Sequence, residues 1–145
     1  MVVVPQSKEQ AEAMLTLLQE GAGVKPSPEL IMIGWVKDKK LVMVVGIDTF
    51  IGKTCHIHVS MAQGFTYTPK EMLKTVFDFA FGEAGRDMLV GIVNSKNAAA
   101  LKYDLHLGFT ESFRFPGMHD DGGDLVVLTM TRDQCKYLEM KEKAA

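Results

Sequence analysis

A mixed α/β architecture, a sheet with helices packed on its faces, is what the 145-residue sequence predicts, and three observations carry that expectation. Short runs rich in Val, Ile, Leu and Met mark strands at residues 30 to 36, 41 to 47, 53 to 61, 88 to 93, 111 to 115 and 124 to 130. Apolar residues at three- and four-residue spacing mark two amphipathic helices, and a small-residue stretch ending in Gly108-Phe109 marks a third. The order is helix, three strands, helix, strand, helix, two strands, so crossover helices separate the later strands from the first hairpin.

Ser7 is placed to cap the first helix, whose apolar positions Ala11, Met14, Leu15 and Leu18 share a face, and Gly21-Ala22-Gly23 is its expected end. The following VKPSPE is a turn-rich connector, because each proline fixes its own φ and biases its predecessor away from helix. KDKK, between two β-rich runs, reads as a hairpin turn. In KTCHIHVSM the two-residue period puts His56, His58 and Ser60 on one face and Cys55, Ile57, Val59 and Met61 on the other. A helix over residues 69 to 82 is predicted from a cap at Thr68, Pro69 in the first turn, Glu71 closing a capping box, and an apolar stripe of Met72, Leu73, Val76, Phe77 and Ala80. After the strand MLVGIV, Asn97 can cap the third helix and Ala98 to Ala100 let it lie close to a strand or ligand. Gly108 supplies the left-handed C-terminal residue and Phe109 anchors the exit in the core. ESFRF and DLVVLTM are two last strands joined by the loop PGMHDDGG, and the chain after Arg132 reads as a polar tail that includes Cys135.

Length and composition are those of one domain spanning residues 1–145, close to half of it apolar. A net charge of −2 with no Lys/Arg cluster argues against nucleic acid as a partner. Cys55 and Cys135 are too few for a disulfide framework or a tetrahedral zinc site, and no metal is expected. No apolar stretch reaches membrane-spanning length and no secretory leader is evident, so the expectation is a soluble cytoplasmic protein.

The order of elements, with Asn97, the pair Tyr103-Asp104 and the closing Gly108-Phe109, resembles the GNAT superfamily of acyl-CoA-dependent N-acyltransferases over nearly the whole chain. The resemblance implies a mostly antiparallel sheet splayed between the strands at 54–61 and 88–93, with helices on both faces and acetyl-CoA as co-substrate in the splay. It further implies that Val59, Ser60 and Met61 hold the thioester through their backbone, that Gln63, Gly64, Phe65, Thr66 and Thr68 hold the pyrophosphate, and that Asn97 lies on the pantetheine side. Two features depart from the family pattern. Threonines 66 and 68 stand where the pyrophosphate turn usually has small residues, so either the amides of residues 64 to 68 and Lys70 hold the anion or this is an ordinary capped helix. The family's tyrosine, four residues before the final glycine, is Asp104 here, with Tyr103 one residue earlier and about 100° around the helix. The proton for the departing thiolate then comes from Tyr103, from Asp104 or from water.

Acyl transfer to an amine needs a base, and His58 or His56 on the cleft strand is the candidate; the alternative is two packed, hydrogen-bonded imidazoles. Cys55 points away from His56, which makes a thiol-imidazole dyad a poor reading. His119, Asp120, Asp121 and Asp124 are either hairpin chemistry or, as the resemblance implies, an acidic rim that attracts a cationic amine. The function expected is acetyl-CoA-dependent N-acetyl transfer to a primary amine, small molecule or peptide, by direct attack in a ternary complex. The rival is a non-catalytic protein of the same fold, similar to small phage and prophage members, and the family's habit of pairing through its late strands makes a homodimer compatible.

Overall fold

Among residues 1–138, the part of the chain that the computed structural model describes, seven strands form one mixed sheet in the order β1-β2-β3-β4-β5-β7-β6. They are β1 (Val2–Val3), β2 (Ile31–Lys37), β3 (Lys40–Ile51), β4 (Thr54–Met61), β5 (Met88–Asn94), β6 (Thr110–Phe115) and β7 (Leu125–Thr131). The helices are α1 (Lys8–Ala22), α2 (Lys70–Asp78) and α3 (Ala98–Leu107). Every neighbouring pair is antiparallel except β4 with β5. Strand β1 was not foreseen, because two residues beside Trp35 and Gly34 carry no periodicity.

The β2–β3 hairpin closes on Asp38 and Lys39, whose φ values of 51° and 65° suit the right-handed twist of the strands it joins. On one sheet face α1 packs Met14 and Leu18 against Val44. Gly21 lies inside this helix rather than at its end, and the reason is proximity: a Cβ there would meet Ser60 Oγ at 1.8 Å. The helix ends instead on Gly23, with φ 64°. Ser60 Oγ donates to Leu17 O at 2.7 Å, which ties α1 to β4.

The opposite face carries the larger core, where Met72, Val76, Phe77 and Phe81 meet Leu89, Leu128 and Met130. Truncating a ring such as Phe77 in this setting costs about 3–5 kcal/mol. The single helix expected to Gly82 is α2 followed by a π-helical turn, Phe79–Glu83, closed by Ala84 N donating to Phe79 O at 2.8 Å. Arg132 donates to Phe81 O and Arg86 O, capping that turn. The polar tail is likewise corrected as far as residue 138, the remainder lying outside the described residues: Tyr137 stacks on Phe77 at 5.0 Å and Cys135 is buried beside it in the core.

The capping box expected at α2 is absent. Pro69 is the N-cap, no side chain caps the helix, and Thr68 is turned elsewhere. At α3 the expected signals hold: Asn97 Oδ1 accepts from Ala100 N at 3.2 Å, Gly108 has φ 114°, and Phe109 is buried.

Candidate active site

The parallel β4–β5 ladder has three rungs, Thr54 with Met88, Cys55 with Leu89 and His56 with Val90. Both strands run on beyond it, to Met61 and Asn94, so the sheet opens there while β4 stays paired with β3 as far as Met61. Ala62 N donates to Val42 O, and alternation along an antiparallel ladder then directs the main-chain groups of Ser60, His58 and His56 toward β3. Those of Val59 and Met61 face the opening. Of the three residues assigned to the thioester, Ser60 is therefore spent in the fold, its hydroxyl on α1 and its backbone on β3, whereas Val59 and Met61 present theirs to the gap.

On the α1 face of β4, His58 Nε2 lies 2.7 Å from Asp48 Oδ1 across the β3–β4 ladder. A carboxylate only accepts, so Nε2 carries the hydrogen, and in the neutral form of the ring the lone pair lies on Nδ1. Asp48 is itself held. A bulge interrupts the register between Asp48 and Ile51, and Thr49 within it has φ 54°, a conformation unusual for a β-branched residue. Thr49 Oγ1 donates to Asp48 Oδ1 at 3.1 Å, and Thr49 N donates to Glu29 Oε1 at 2.9 Å. His56 sits beside this pair, 6.4 Å between ring centroids, and burial followed by the neighbouring His58 lowers its pKa, which favours a neutral ring.

On the other face, Asp104 of α3 reaches the sheet at Gly91, the residue after the last rung: a methyl on Gly91 would lie 3.9 Å from Asp104 Oδ2. Burial alone pushes the Asp104 pKa up to about 6. Tyr103, one residue earlier, shares a hydrogen bond of 2.5 Å with Thr68 Oγ1. Burial pushes the phenol up to about 12, against the lowering effect of Thr68.

The loop after β4 makes a turn in which Phe65 N donates to Ala62 O and Gly64 takes φ 88°. Gly64 is the only residue from 63 to 68 with positive φ, so both threonines keep ordinary backbone geometry. Gln63 to Thr68 lead directly into the N-terminus of α2, where the amides of Lys70, Glu71 and Met72 have no side-chain cap and share the positive end of the helix dipole. Asn97, at the start of α3, uses its Oδ1 as the cap and leaves its Nδ2 for another partner.

The PGMHDDGG loop is latched to the start of α3. Asn94 Nδ2 donates to Asp121 Oδ2, Lys96 Nζ to Asp121 O, and Asp124 N to Ser95 Oγ. Asp121 Oδ1 also accepts from Gly123 N, Asp124 accepts from Gly117 N and Arg114, and both carboxyls are held below their ordinary pKa by these bonds. Hairpin chemistry thus accounts for Asp121 and Asp124; Asp120 stays exposed, and His119 Nδ1 is buried without a hydrogen-bond partner. Among the described residues no group of three or more His, Cys, Asp or Glu is placed to hold a metal. The Cys55 thiol is fully buried, which pushes its pKa to about 11 and makes it a poor nucleophile at neutral pH.

Sequence reasoning missed Asp48 and the latch residues Asn94, Ser95 and Lys96. An aspartate closing the apolar run LVMVVGID was the available sign for the first; the latch joins segments too far apart to be read from spacing.

Solved structures share this architecture at low sequence identity. A chimera of the Vibrio cholerae spermidine N-acetyltransferase with hSSAT superposes with a TM-score of 0.74 at 12% identity, over 95% of this chain and 99% of that one. IAA acetyltransferase from Bacillus cereus ATCC 14579 does so with 0.72 at 14%, over 90% and 99%. The Vibrio cholerae spermidine N-acetyltransferase in complex with CoA and spermine gives 0.72 at 12%, over 94% and 98%. No family model and no curated protein matches the sequence. The likeness establishes the GNAT fold that the sequence resemblance implied, and at these identities the fold alone.

Proposed function

We propose that this chain is an N-acetyltransferase that uses acetyl-CoA and acetylates a primary amine by direct attack in a ternary complex. The observation that carries the reading is the end of the β4–β5 ladder at His56 and Val90, which leaves main-chain donors and acceptors of Val59 and Met61 at a gap flanked by His58 on one face and Asp104 on the other. The residues present fit the co-substrate: unpaired main-chain groups on β4, a bare Gly91, and uncapped amides with Lys70 at the start of α2, where an anion is stabilised. Acetyl-CoA supplies the acyl group as an activated thioester.

In this reading residues 63 to 68 and the first turn of α2 bind the pyrophosphate, Gln63, Gly64, Phe65, Thr66 and Thr68 acting mainly through their backbone. The Asn97 Nδ2 serves the pantetheine side. His58 accepts the amine's proton at Nδ1, with Asp48 fixing its tautomer and orientation; His56 is the second candidate. Tyr103 buttresses the pyrophosphate loop through Thr68 rather than transferring a proton. The acceptor enters between His58 and the 116 to 124 loop, where Asp120 and His119 stand at the rim. The chain works as one domain in the cytoplasm, where its two buried cysteines stay reduced, and pairs with a second copy along edge strand β6, whose Phe113 and Phe115 are exposed. No described helix is long and apolar enough to cross a membrane.

A second reading, a non-catalytic binding protein on this fold, is favoured by the same Tyr103–Thr68 bond, because it withdraws a hydroxyl from chemistry. Incubation with acetyl-CoA and a panel of primary amines, following free thiol, separates the two. Thiol release that requires both protein and amine is the expected result; CoA binding without turnover on any amine favours the second reading.

A further inference from the structure

We propose that the acceptor is a monoamine with an apolar body, an arylamine or alkylamine of the 2-phenylethylamine kind, laid over the uncovered sheet face between His58 and β6. This names a substrate class for the acyltransferase reading above and rests on it. His56 pairs with Val90, so their side chains share the α1 face; two residues further along each strand, His58 and Ile92 stand on that face at either side of the splay. Ile92 is in register with Val127 and Val127 with Phe113, and beside that row Leu125 is in register with Phe115. An apolar floor thus leads away from the base, across three strands. Helix α1 packs on β2, β3 and β4, and beyond it Ile92 is 49% exposed, Phe113 58% and Phe115 45%. Strands spaced about 4.8 Å apart make this floor about 10 Å wide, room for one aromatic ring or a chain of several methylenes.

Charge offers no comparable surface. Asp48 is taken by His58 and Thr49, Glu29 by the Thr49 amide, Asp121 by Asn94 and Gly123, and Asp124 by Arg114 and Gly117. Among the described residues of the 116 to 124 loop, Asp120 is the carboxylate left exposed for a cation. One carboxylate suits the single charge of an approaching monoamine, whereas a polyamine carries several charges, each needing a partner as it leaves water. A second copy joined along the β6 edge extends the sheet in its own plane, which leaves the side chains on this face to another occupant.

The test measures kcat/KM by thiol release for n-alkylamines from propyl to hexyl, 2-phenylethylamine and spermidine, in the wild type, Ile92→Asp and Val127→Thr. In the wild type kcat/KM should rise two- to fourfold per added methylene, and 2-phenylethylamine should exceed spermidine at least tenfold. Ile92→Asp should flatten the alkyl series and narrow or reverse the preference over spermidine; Val127→Thr, nearly equal in volume, should flatten it in part and serves if the first variant misfolds. A flat wild-type series, or spermidine ahead of the monoamines, would overturn the substrate class while leaving the acyltransferase reading intact. An Ile92→Asp protein that keeps the amine order but sediments as a monomer where the wild type is a dimer would assign the face to a second copy, which also overturns it. Turnover of no amine removes the acyltransferase reading, and the proposal with it.

Discussion

On the α1 face of the strand splay His58 is held by Asp48, which is held in turn by Thr49, whose backbone is fixed by Glu29; on the α3 face Asp104 is buried against Gly91 and held by nothing. The two groups flank the same gap, yet one is fixed in direction by hydrogen bonds and the other is set apart by burial. A base must present its lone pair in one direction, which a chain of hydrogen bonds provides. Isolation and burial of a carboxyl instead favour its neutral form. A partner such as an arginine would stabilise Asp104 and abolish that property.

The sharpest way to break the comparison is to remove the held side. His58→Gln should lower kcat by roughly 10²- to 10⁴-fold with the melting temperature little changed, measured as initial rates of thiol release. The isolated side should respond in stability. The folded pKa of Asp104 is raised from 3.8 to about 6, so the native state binds more protons than the unfolded chain within that window and stability falls as pH rises through it. Asp104→Asn lacks this fall and should be more stable than the wild type at pH 7 by about 2–3 kcal/mol, read from denaturant melts at pH 4 and pH 7.

Asp48→Asn should lower kcat by roughly 10- to 100-fold with KM nearly unchanged, because it replaces an acceptor-only carboxylate by an amide whose NH2 can face His58 and select the other tautomer, without touching substrate. The smallest effect is expected at the bulge. A left-handed β-branched residue costs about 1–3 kcal/mol, and glycine loses about 0.5–1 kcal/mol in backbone entropy. Thr49→Gly should therefore stabilise by about 1 kcal/mol in thermal melts while loosening Asp48 and lowering the rate less than Asp48→Asn does.

Local signals carried well from sequence to structure. The β4 span, the Ser7 and Asn97 caps, the Gly23 and Gly108 ends and the facing of His56, His58 and Ser60 all follow from period, capping chemistry or a positive φ. What stayed hidden is non-local. Thr68 reads as a helix cap until Tyr103, 35 residues away, takes its hydroxyl. Gly21 reads as a helix stop until Ser60 is found against it, and Cys135 reads as tail until the core closes over it. The acidic loop shows the same effect in the site: Asp121 and Asp124 read as a rim for a cation until Asn94 and Arg114 occupy them. Asp48 had a place in the sequence but no partner, because His58 reaches it diagonally across two strands joined through a bulge.

Calorimetric titration of the purified protein with acetyl-CoA, with ADP run alongside, tests the central claim most directly. Saturable one-to-one binding of acetyl-CoA, weakened but not abolished for ADP, is the result predicted by a splay that takes the pantetheine arm and an α2 N-terminus that takes the pyrophosphate. No heat and no saturation at millimolar acetyl-CoA would contradict the account and leave the fold without its co-substrate.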